Sequence, residues 1–377
     1  MSTAERIEAA RVAGSASTAN DAAPALMARL QRGFAEALAR RPGALREADY
    51  LFAGRPVRLR VVGARLAERT HRAFTHLRRP GAAAGVPALH IDVWDEAETG
   101  VAGGIDAEAD TPDRRWLACD GTLIASPDGR FVGFLYSESV SVLDRRAQRL
   151  VSCRRDGSQL FTGDASKPFI LMLSIWCHDR GVQVVHAALV SRAGAGVLIP
   201  GVSGTGKSTT ALAAAAQGLE FLGDDFVGLE RTCDDDFLGH SIYDTACLAR
   251  DSLFRFDGIR RYAVEDRFAR DEKPILFLSE VFPERLRATV PVRALALVRI
   301  RQERTEVRRA GRGEALRELA ASTLHTVVPR PGREALELFA RLVERVPAYR
   351  LQLGPELEDI GRGLEAIISE AGSADDA

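Results

Sequence analysis

The stretch Gly201-Val-Ser-Gly-Thr-Gly-Lys-Ser208 decides the fold of the C-terminal part of this 377-residue chain. An apolar run at 195–199 precedes it and is typical of a short strand, while the alanine-rich run at 208–217 favours a helix. Glycines let the connecting chain curl so that successive backbone N–H groups point inward, and the start of a helix adds partial positive charge. The stretch therefore predicts a strand, a phosphate-binding loop and a helix in succession.

Two side chains of this loop have chemical roles in such motifs. Lys207 is expected to reach the β and γ phosphates of a nucleotide, and Ser208 to ligate Mg²⁺. Only Lys167, Lys207 and Lys273 are lysines among the 51 basic residues, so an accidental match to the motif is rare. A glycine-rich turn with a surface lysine is the weaker interpretation.

Paired acids, Asp224-Asp225, follow the loop and its helix at the end of a short apolar stretch. An isolated Asp-Asp is most often a solvated turn, but a position shortly after a phosphate-binding loop favours catalytic carboxylates. One of the two can hold Mg²⁺ while its neighbour accepts the proton of an attacking hydroxyl. We take Asp224 as the base and Asp225, with Ser208, as the metal ligand, an order that the residues alone leave open.

His186 lies in an apolar run at 182–190 that predicts a strand, and a glycine-containing turn connects this run to the strand before the loop. A histidine in an apolar strand is usually a satisfied core residue. A hairpin partner beside the loop strand can, however, bring this imidazole near the phosphates.

The order of these parts (histidine strand, hairpin, glycine-rich loop, helix, paired acids) resembles the bacterial HPr kinase/phosphorylase group. The resemblance extends over about residues 165–365 and includes relatives encoded beside lasso peptide genes and, more distantly, ATP-dependent phosphoenolpyruvate carboxykinases. Segments 240–246, 322–324 and 346–351 are similar to those relatives rather than to the HPr enzyme itself.

The resemblance implies a fold, two ligands and a set of site residues. The fold would be α/β, with helices around a mixed sheet. ATP and Mg²⁺ would bind, the metal ion on Ser208 and Asp225. The implied nucleotide-binding residues are Gly201, Ser203, Gly204, Thr205, Gly206, Lys207, Ser208 and Thr209. Catalytic roles would fall to Asp224, Asp225, His186 and Lys207.

Three departures from the family pattern bear on the substrate. Ala187 follows the histidine where the HPr enzyme has glycine, and only Arg330-Pro-Gly-Arg333 echoes its phosphorolysis signature. Reverse phosphorolysis and HPr itself as the acceptor therefore both stay open. Cys247 stands where we expect a lysine in the peptide-kinase relatives, so the role of that lysine is either missing or supplied by Lys273.

The N-terminal part has a different pattern. Short alternating apolar runs between residues 55 and 159, punctuated by turn sequences, predict a region dominated by antiparallel strands. Apolar residues at helical spacing from Leu26 to Leu38 predict a core-packed helix, and residues 165–180 predict another. We expect a flexible arm at 1–22, an α+β domain at 23–164, the phosphate-loop kinase domain at 165–368 and a flexible tail at 369–377.

Charge and composition exclude several classes of partner. The 51 basic and 52 acidic residues leave a net charge of −1, so no overall field attracts nucleic acid or an anionic membrane. The longest apolar run, 168–177, is too short to cross a bilayer, and the first residues lack the apolar core of a signal peptide. Five well separated cysteines indicate reduced thiols and a cytoplasmic location. The family resemblance is compatible with a homo-oligomer.

These observations predict an ATP- and Mg²⁺-dependent kinase that transfers the γ-phosphoryl group to a hydroxyl. The resemblance favours a serine of a peptide or protein, such as a ribosomally made precursor peptide, as the acceptor. A kinase for a small alcohol or amino acid would use the same residues with a closed pocket. An ATP-binding regulator without transfer is the other alternative, although binding alone needs no base.

Overall fold

The computed structural model describes residues 22–79, 86–104, 121–136, 138–264, 273–300, 303–324 and 332–375. The expected flexible arm lies outside these residues up to position 21, as does the first half of Arg330-Pro-Gly-Arg333. The chain divides into two compact units, the first comprising the described residues up to Glu47, Arg58–Ala67 and those of Pro87–Ser158. The second comprises Ala48–Val57, the described part of Glu68–Val86 and the chain from Gln159 onwards. The expected domain limits, with a boundary near residue 164, stay a prediction.

The N-terminal part of the chain forms a seven-stranded sheet with few helices. Its elements are α1 (Ala22–Arg40), β1 (Leu45–Phe52), β2 (Arg55–Val62), α2 (Ala64–Arg72), β3 (Leu89–Asp95), α3 (Glu96–Thr99), β4 (Gly121–Ala125), β5 (Phe131–Tyr136), β6 (Ser139–Asp144) and β7 (Arg149–Arg154). The strand order is β1-β2-β3-β7-β6-β5-β4, with β4–β5, β5–β6 and β6–β7 antiparallel and β3–β7 parallel. The predicted N-terminal region rich in antiparallel strands is confirmed.

Helix α1 covers one face of this sheet. Its apolar residues recur every three or four positions, so Leu26, Met27, Leu30 and Phe34 are all buried on one side, in a cluster that includes Trp94 of β3. Burial of each large side chain contributes about 1.5–3 kcal/mol. The stripe predicted from Leu26 to Leu38 is thus the contact face of a helix.

A buried carboxylate joins three neighbouring strands of the same sheet. Asp92 of β3 is fully buried, and its Oδ1 accepts a hydrogen bond from Nε of Arg60 on β2 at 2.7 Å. Its Oδ2 accepts from Nε of Arg149 on β7 at 2.9 Å. A buried charge of this kind is tolerated because both oxygens have cationic donors, so removal of the charge leaves two arginines without their counter-ion.

Asp92→Asn should therefore lower the free energy of unfolding by about 2 kcal/mol, because neutral hydrogen bonds replace charge-assisted ones. The measurement is urea denaturation followed by tryptophan fluorescence, with Trp94 on the same strand as reporter. Glu337→Gln, which breaks an exposed ion pair with Arg333, is the control and should change stability by less than about 0.5 kcal/mol. Equal effects of the two substitutions would contradict the structural role of Asp92.

The C-terminal part alternates strands and helices. Its elements are α4 (Thr162–Ser166), α5 (Ile170–His178), β8 (Val182–Arg192), β9 (Ala195–Pro200), α6 (Lys207–Ala216), β10 (Glu220–Gly223), β11 (Phe226–Arg231), β12 (Phe237–Ser241), β13 (Thr245–Cys247), α7 (Arg250–Leu253), β14 (Ile275–Phe277), α8 (Leu278–Val281), β15 (Thr289–Ile300), β16 (Glu306–Arg309), α9 (Arg312–Leu324), α10 (Arg333–Arg345), β17 (Ala348–Leu353) and α11 (Leu357–Asp375). Single 3₁₀ turns occur at Pro42–Ala44, Thr75–Leu77, Arg260–Tyr262 and Pro283–Arg285.

Eight of these strands form one mixed sheet, in the order β10-β8-β11-β12-β15-β17-β16, with β9 paired to both β8 and β15. The pairs β15–β17 and β15–β9 are parallel, and the others are antiparallel. The pairings β8–β9, β9–β15, β15–β12, β12–β11 and β11–β8 close a circuit, so these five strands have partners on both sides. The predicted α/β class with a mixed sheet is confirmed.

Helices cover both faces of this sheet, and β15 shows how. Its residues Ala294, Ala296 and Val298 pack into a core cluster with α6 and α11, whereas Leu295 and Leu297 pack into a second cluster with α9 and α10. Successive side chains of a strand point to opposite faces, so a strand covered on both faces is apolar throughout. The same reason explains why β8 is apolar from Val184 to Val190 except at His186.

The end of the chain differs from the expected flexible tail at 369–377. Helix α11 continues to Asp375 because its apolar periodicity extends past the expected limit. Ile367, Ile368 and Ala371 are buried in the core cluster with α6, and this contact keeps the last turns helical. Among the described residues, no helix has the length and apolar character needed to cross a membrane.

The second unit also contains an early segment of the chain. Phe74 packs on Tyr243 with ring centroids 5.3 Å apart, and Nε2 of His76 lies 2.6 Å from the hydroxyl oxygen of Ser241. The backbone N–H of Asp244 donates to the carbonyl of Ala73 at 3.2 Å. Residues between β2 and β3 thus contribute to the core around the strand β13.

Candidate active site

The glycine-rich loop connects β9 to α6. Gly206 has φ +101°, in the left-handed region, and is the residue immediately before the helix. A Cβ atom at this position would lie 2.6 Å from Cδ1 of Leu353 at the end of β17. Only glycine combines this backbone conformation with this close approach, so the sequence requires glycine where the loop turns into the helix.

Lys207 begins helix α6 and is buried, with 5% of its surface exposed. Its Nζ donates to the carbonyl oxygen of Val202 at 3.3 Å, and the Thr205 hydroxyl donates to the same oxygen at 2.9 Å. The side chain therefore folds back along the loop, whose residues Val202, Ser203 and Gly204 are exposed. Burial lowers the pKa of Lys207, and the nearby carboxylates of the paired acids oppose this shift.

Asp224 and Asp225 form the whole connection between β10 and β11. Asp224 is 2% exposed, and its Oδ2 accepts a hydrogen bond from the backbone N–H of Cys247 at 2.9 Å. Its carboxylate also accepts from the hydroxyl of Ser208 in the first turn of α6. Burial raises the pKa of Asp224, although the nearby ammonium of Lys167 opposes the shift. Asp224 is thus the acid on the loop side of the pair.

Asp225 contacts a histidine and a lysine, both of which lie outside the loop. Its Oδ1 lies 2.5 Å from Nε2 of His186, and its Oδ2 lies 3.3 Å from Nζ of Lys167. The side chain is 28% exposed. Burial by itself would raise the pKa of Asp225, but the ammonium of Lys167 and the hydrogen bond from His186 hold it well below its usual range. This carboxylate is ionised at neutral pH and partly open to solvent.

The strand pairing explains why His186 meets Asp225. Within β8, Ala187 is opposite Pro200, the last residue of β9, and His186 is opposite Phe226, the first residue of β11. The imidazole therefore lies where the loop begins and beside the acid that precedes β11. His186 is 6% exposed, and its buried Nδ1 has no hydrogen-bond partner within the part of the chain that the structure describes. Its contact with the site is through Nε2 alone.

Lys167 is the site residue that sequence analysis missed. Residues 165–180, expected as one helix, form α4 and α5 with a break between them, because the residue before a proline disfavours helix and Phe169 has φ 62°. Lys167 sits in this break with its side chain 9% exposed, and its Nζ lies 3.3 Å from Sγ of Cys247. The scarcity of lysine and the interruption by Pro168 were the available signals.

The cation beside Cys247 is therefore Lys167 and not Lys273, the residue considered from the sequence. Burial by itself would lower the pKa of Lys167, but the Cys247 sulfur and the carboxylates of Asp225 and Asp224 raise it above the usual lysine value. Lys273 is exposed, and its charge is close enough to contribute to the lowered pKa of Lys207.

The donor atoms of the site fit a Mg²⁺ ion that is shared with phosphates. No cluster of three or more histidine, cysteine or acidic side chains suits a metal ion among the described residues. Mg²⁺ typically uses one or two carboxylates together with substrate phosphates and water, and the Ser208 hydroxyl and the Asp224 carboxylate supply such oxygens. In the structure the Ser208 hydroxyl is a hydrogen-bond partner of Asp224, and the expected pairing of Ser208 with Asp225 as metal ligands stays a prediction.

A strand, a glycine-rich loop and a helix that begins with a buried lysine, followed by paired acids, are the features expected around a phosphate-binding loop. Residues 181–247 match the family model of the HPr Serine kinase C-terminal domain. The matched segment runs from β8 to β13 and includes His186, the loop and both acids. The chain is HPr kinase-like over this segment, as the order of its motifs predicts, which supports a kinase in the general sense. An association with lasso peptide genes stays a prediction.

One solved structure is also similar, that of the Hpr(Ser) kinase/phosphatase from Coxiella burnetii. It matches at 12% sequence identity over 52% of this chain and 99% of that chain, with a TM-score of 0.30. No curated protein matches the sequence.

Lys207→Ala should weaken binding of a non-hydrolysable ATP analogue with Mg²⁺ by two orders of magnitude or more, about 3 kcal/mol, because it removes the cation of the loop. Calorimetric titration measures this loss. Arg192→Ala is the matched control, since it also removes one positive charge. Arg192 is the last residue of β8 and pairs with Ala195 at the start of β9, whereas the loop follows the end of β9. Equal affinities of the Lys207→Ala variant and the wild type would contradict the phosphate-loop interpretation.

Proposed function

We propose that this protein is a Mg²⁺-dependent kinase that transfers the γ-phosphoryl group of ATP to a hydroxyl, most simply that of a serine in a peptide or protein. The observation that carries the proposal is the division of the paired acids. Asp224 contacts the loop serine, while Asp225 is 28% exposed and contacts two donors outside the loop. A protein that only binds nucleotide needs the loop and a metal ligand but no second, partly exposed carboxylate.

The loop would hold the phosphates of ATP. Its backbone N–H groups and the N-terminus of α6 favour negative charge, and the residues Gly201, Ser203, Gly204, Thr205, Gly206 and Thr209 would surround the phosphate oxygens together with Lys207. In the structure the Lys207 ammonium donates to a loop carbonyl. Phosphate oxygens would replace that carbonyl as its acceptor when ATP binds.

Ser208 and Asp224 would hold Mg²⁺, which would neutralise part of the negative charge of the phosphates. This assignment reverses the order expected from the sequence, in which Asp225 was the metal ligand and Asp224 the base. The reversal is supported by the hydrogen bond between Ser208 and Asp224, since a shared ion requires both oxygens on one side.

Asp225 would receive the proton of the acceptor hydroxyl. As the acceptor oxygen forms its bond to the γ phosphorus, the bond from that phosphorus to the leaving oxygen of ADP breaks, and the hydroxyl proton passes to a carboxylate oxygen of Asp225. A carboxylate of low pKa is sufficient because the transition state is loose and needs a positioned acceptor more than a strong base. His186 would act through Asp225, by holding its Oδ1.

A panel of acceptors tests the proposed function. The protein is incubated with γ-labelled ATP, Mg²⁺ and either serine-, threonine- or tyrosine-containing peptides, an HPr protein, or free amino acids, sugars and other alcohols. HPr belongs in the panel because the family model that matches residues 181–247 is that of the HPr Serine kinase C-terminal domain. Label on serine peptides or HPr is the expected result, and label confined to small alcohols would replace a protein acceptor with a small molecule. If the protein bound ATP but transferred the phosphoryl group to none of the acceptors and did not hydrolyse ATP, the result would contradict the proposed kinase function.

Asp224→Asn and Asp225→Asn should both keep the fold and slow transfer by about 100-fold or more. Only Asp224→Asn should also raise the Mg²⁺ concentration that gives half the maximal rate, because it removes the carboxylate beside Ser208. Initial rates over a Mg²⁺ titration separate the two roles. A larger shift for Asp225→Asn would restore the order expected from the sequence, and wild-type rates for both variants would show that neither acid takes part in transfer.

His186→Gln keeps a donor near Oδ1 of Asp225 but loses the shape of the ring. We expect normal ATP affinity, a single-turnover rate lower by about tenfold, and a loss of stability of about 1 kcal/mol. Calorimetry, rapid-quench kinetics and the melting temperature are measured on the same preparation. A rate within about threefold of wild type would make His186 a core residue with no part in transfer.

A further inference from the structure

Lys167 is held in place by its neighbours in sequence. The carbonyl oxygen of Ser166 accepts from the Thr245 hydroxyl at 2.8 Å, and that of Pro168 accepts from the Tyr243 hydroxyl at 2.8 Å. The backbone N–H of Lys167 itself donates to the carbonyl of Gly163 at 2.8 Å. The break between α4 and α5 is thus fixed to the segment around β13 on both sides of the lysine, so the base of its side chain is not free to move.

The ammonium of Lys167 is buried next to two carboxylates whose negative charge it balances. Its Nζ lies 3.3 Å from Oδ2 of Asp225, and Asp224 is close enough for its charge to act on the same ammonium. An isolated buried ammonium is costly, and so are two adjacent buried carboxylates without a counter-ion. The ammonium of Lys207 donates its hydrogen bond to the carbonyl of Val202. The ammonium in contact with Oδ2 of Asp225 is that of Lys167.

Each carboxylate oxygen of Asp225 therefore has its own partner. His186 contacts Oδ1 and Lys167 contacts Oδ2, which fixes the plane of the carboxylate. Each carboxylate oxygen has two lone pairs, so one remains on each for an incoming hydroxyl. Because a small misplacement of a catalytic group is costly in rate, the fixed plane matters for transfer even though Lys167 touches no reacting atom.

We propose that Lys167 is the positioning cation of the transfer site, which orients Asp225 toward the acceptor hydroxyl while Lys207 serves the phosphates. This inference rests on the proposed function. It adds that transfer requires a positive charge between Asp225 and Cys247. A lysine at position 167 or at position 247 could supply that charge.

Position 247 offers a direct test because the Cys247 side chain already touches the ammonium at 3.3 Å. Three variants are compared: Lys167→Met, which keeps length without charge, Cys247→Lys, and the double variant Lys167→Met/Cys247→Lys, which relocates the charge. Arg192→Ala again controls for the loss of one positive charge. Nucleotide affinity, the KM for ATP, the single-turnover rate and the melting temperature are measured for each.

We expect Lys167→Met to bind ATP with an affinity within about threefold of wild type and to transfer at least about tenfold more slowly, so the loss falls on kcat and not on KM. The double variant should recover most of that rate, whereas a lysine at position 247 would not rescue the loss of a purely structural Lys167. Cys247→Lys alone should not exceed the wild-type rate, because the position beside Asp225 is already occupied.

Three results would overturn the inference. Wild-type rates for Lys167→Met would show that Asp225 needs no such cation. A double variant that folds but stays as slow as Lys167→Met would show that the charge is not the relevant property. If neither Lys167→Met nor the double variant folds, Lys167 is required for folding and its role is structural. Absence of transfer by the wild-type protein, with normal ATP binding, would instead overturn the proposed function and this inference together.

Discussion

The carboxylate of Asp225, placed between the imidazole of His186 and the ammonium of Lys167, is the interaction on which the site depends. A buried aspartate and a half-buried neighbour can lie next to a phosphate-binding loop because hydrogen-bond partners and positive charge are supplied from within the protein. The two partners of Asp225 come from different parts of the chain: His186 from a central strand, Lys167 from a break between two helices. The fold around the loop can be understood as the means of bringing these groups to one point.

The closed circuit of strands makes that placement rigid. Strand β8 pairs with β11 over its first half and with β9 over its second, so one strand sets the position of His186 relative to both the acids and the loop. A shift of one residue in either pairing would turn His186 to the opposite face of the sheet. Helices on both faces prevent such a shift, because every residue of β8 from Val184 to Val190 is buried.

The sequence was sufficient for the parts of the site that are close together along the chain. The loop, the hairpin that carries His186 and the paired acids lie within one short segment whose glycine spacing and apolar runs indicate strand, turn and helix directly. Lys167 could not be found in this way, since its partner Cys247 is 80 residues away and no local pattern links them. The contacts of Asp224 and Asp225 were also beyond sequence reasoning, because they depend on which way a two-residue connection turns. The helical end at 369–375 was missed because small residues mask its apolar side.

The second unit is discontinuous in sequence, and this has a consequence for how it can evolve and be dissected. Tyr243, which holds the carbonyl next to Lys167, packs on Phe74, and Phe74 belongs to a segment that precedes most of the N-terminal sheet. A fragment that begins at residue 159 would lose this aromatic neighbour and the backbone hydrogen bond from Asp244 to Ala73. The unit with the kinase-like motif is therefore not an autonomous module that recombination could transfer as one continuous piece. Its inheritance is tied to that of the N-terminal sequence.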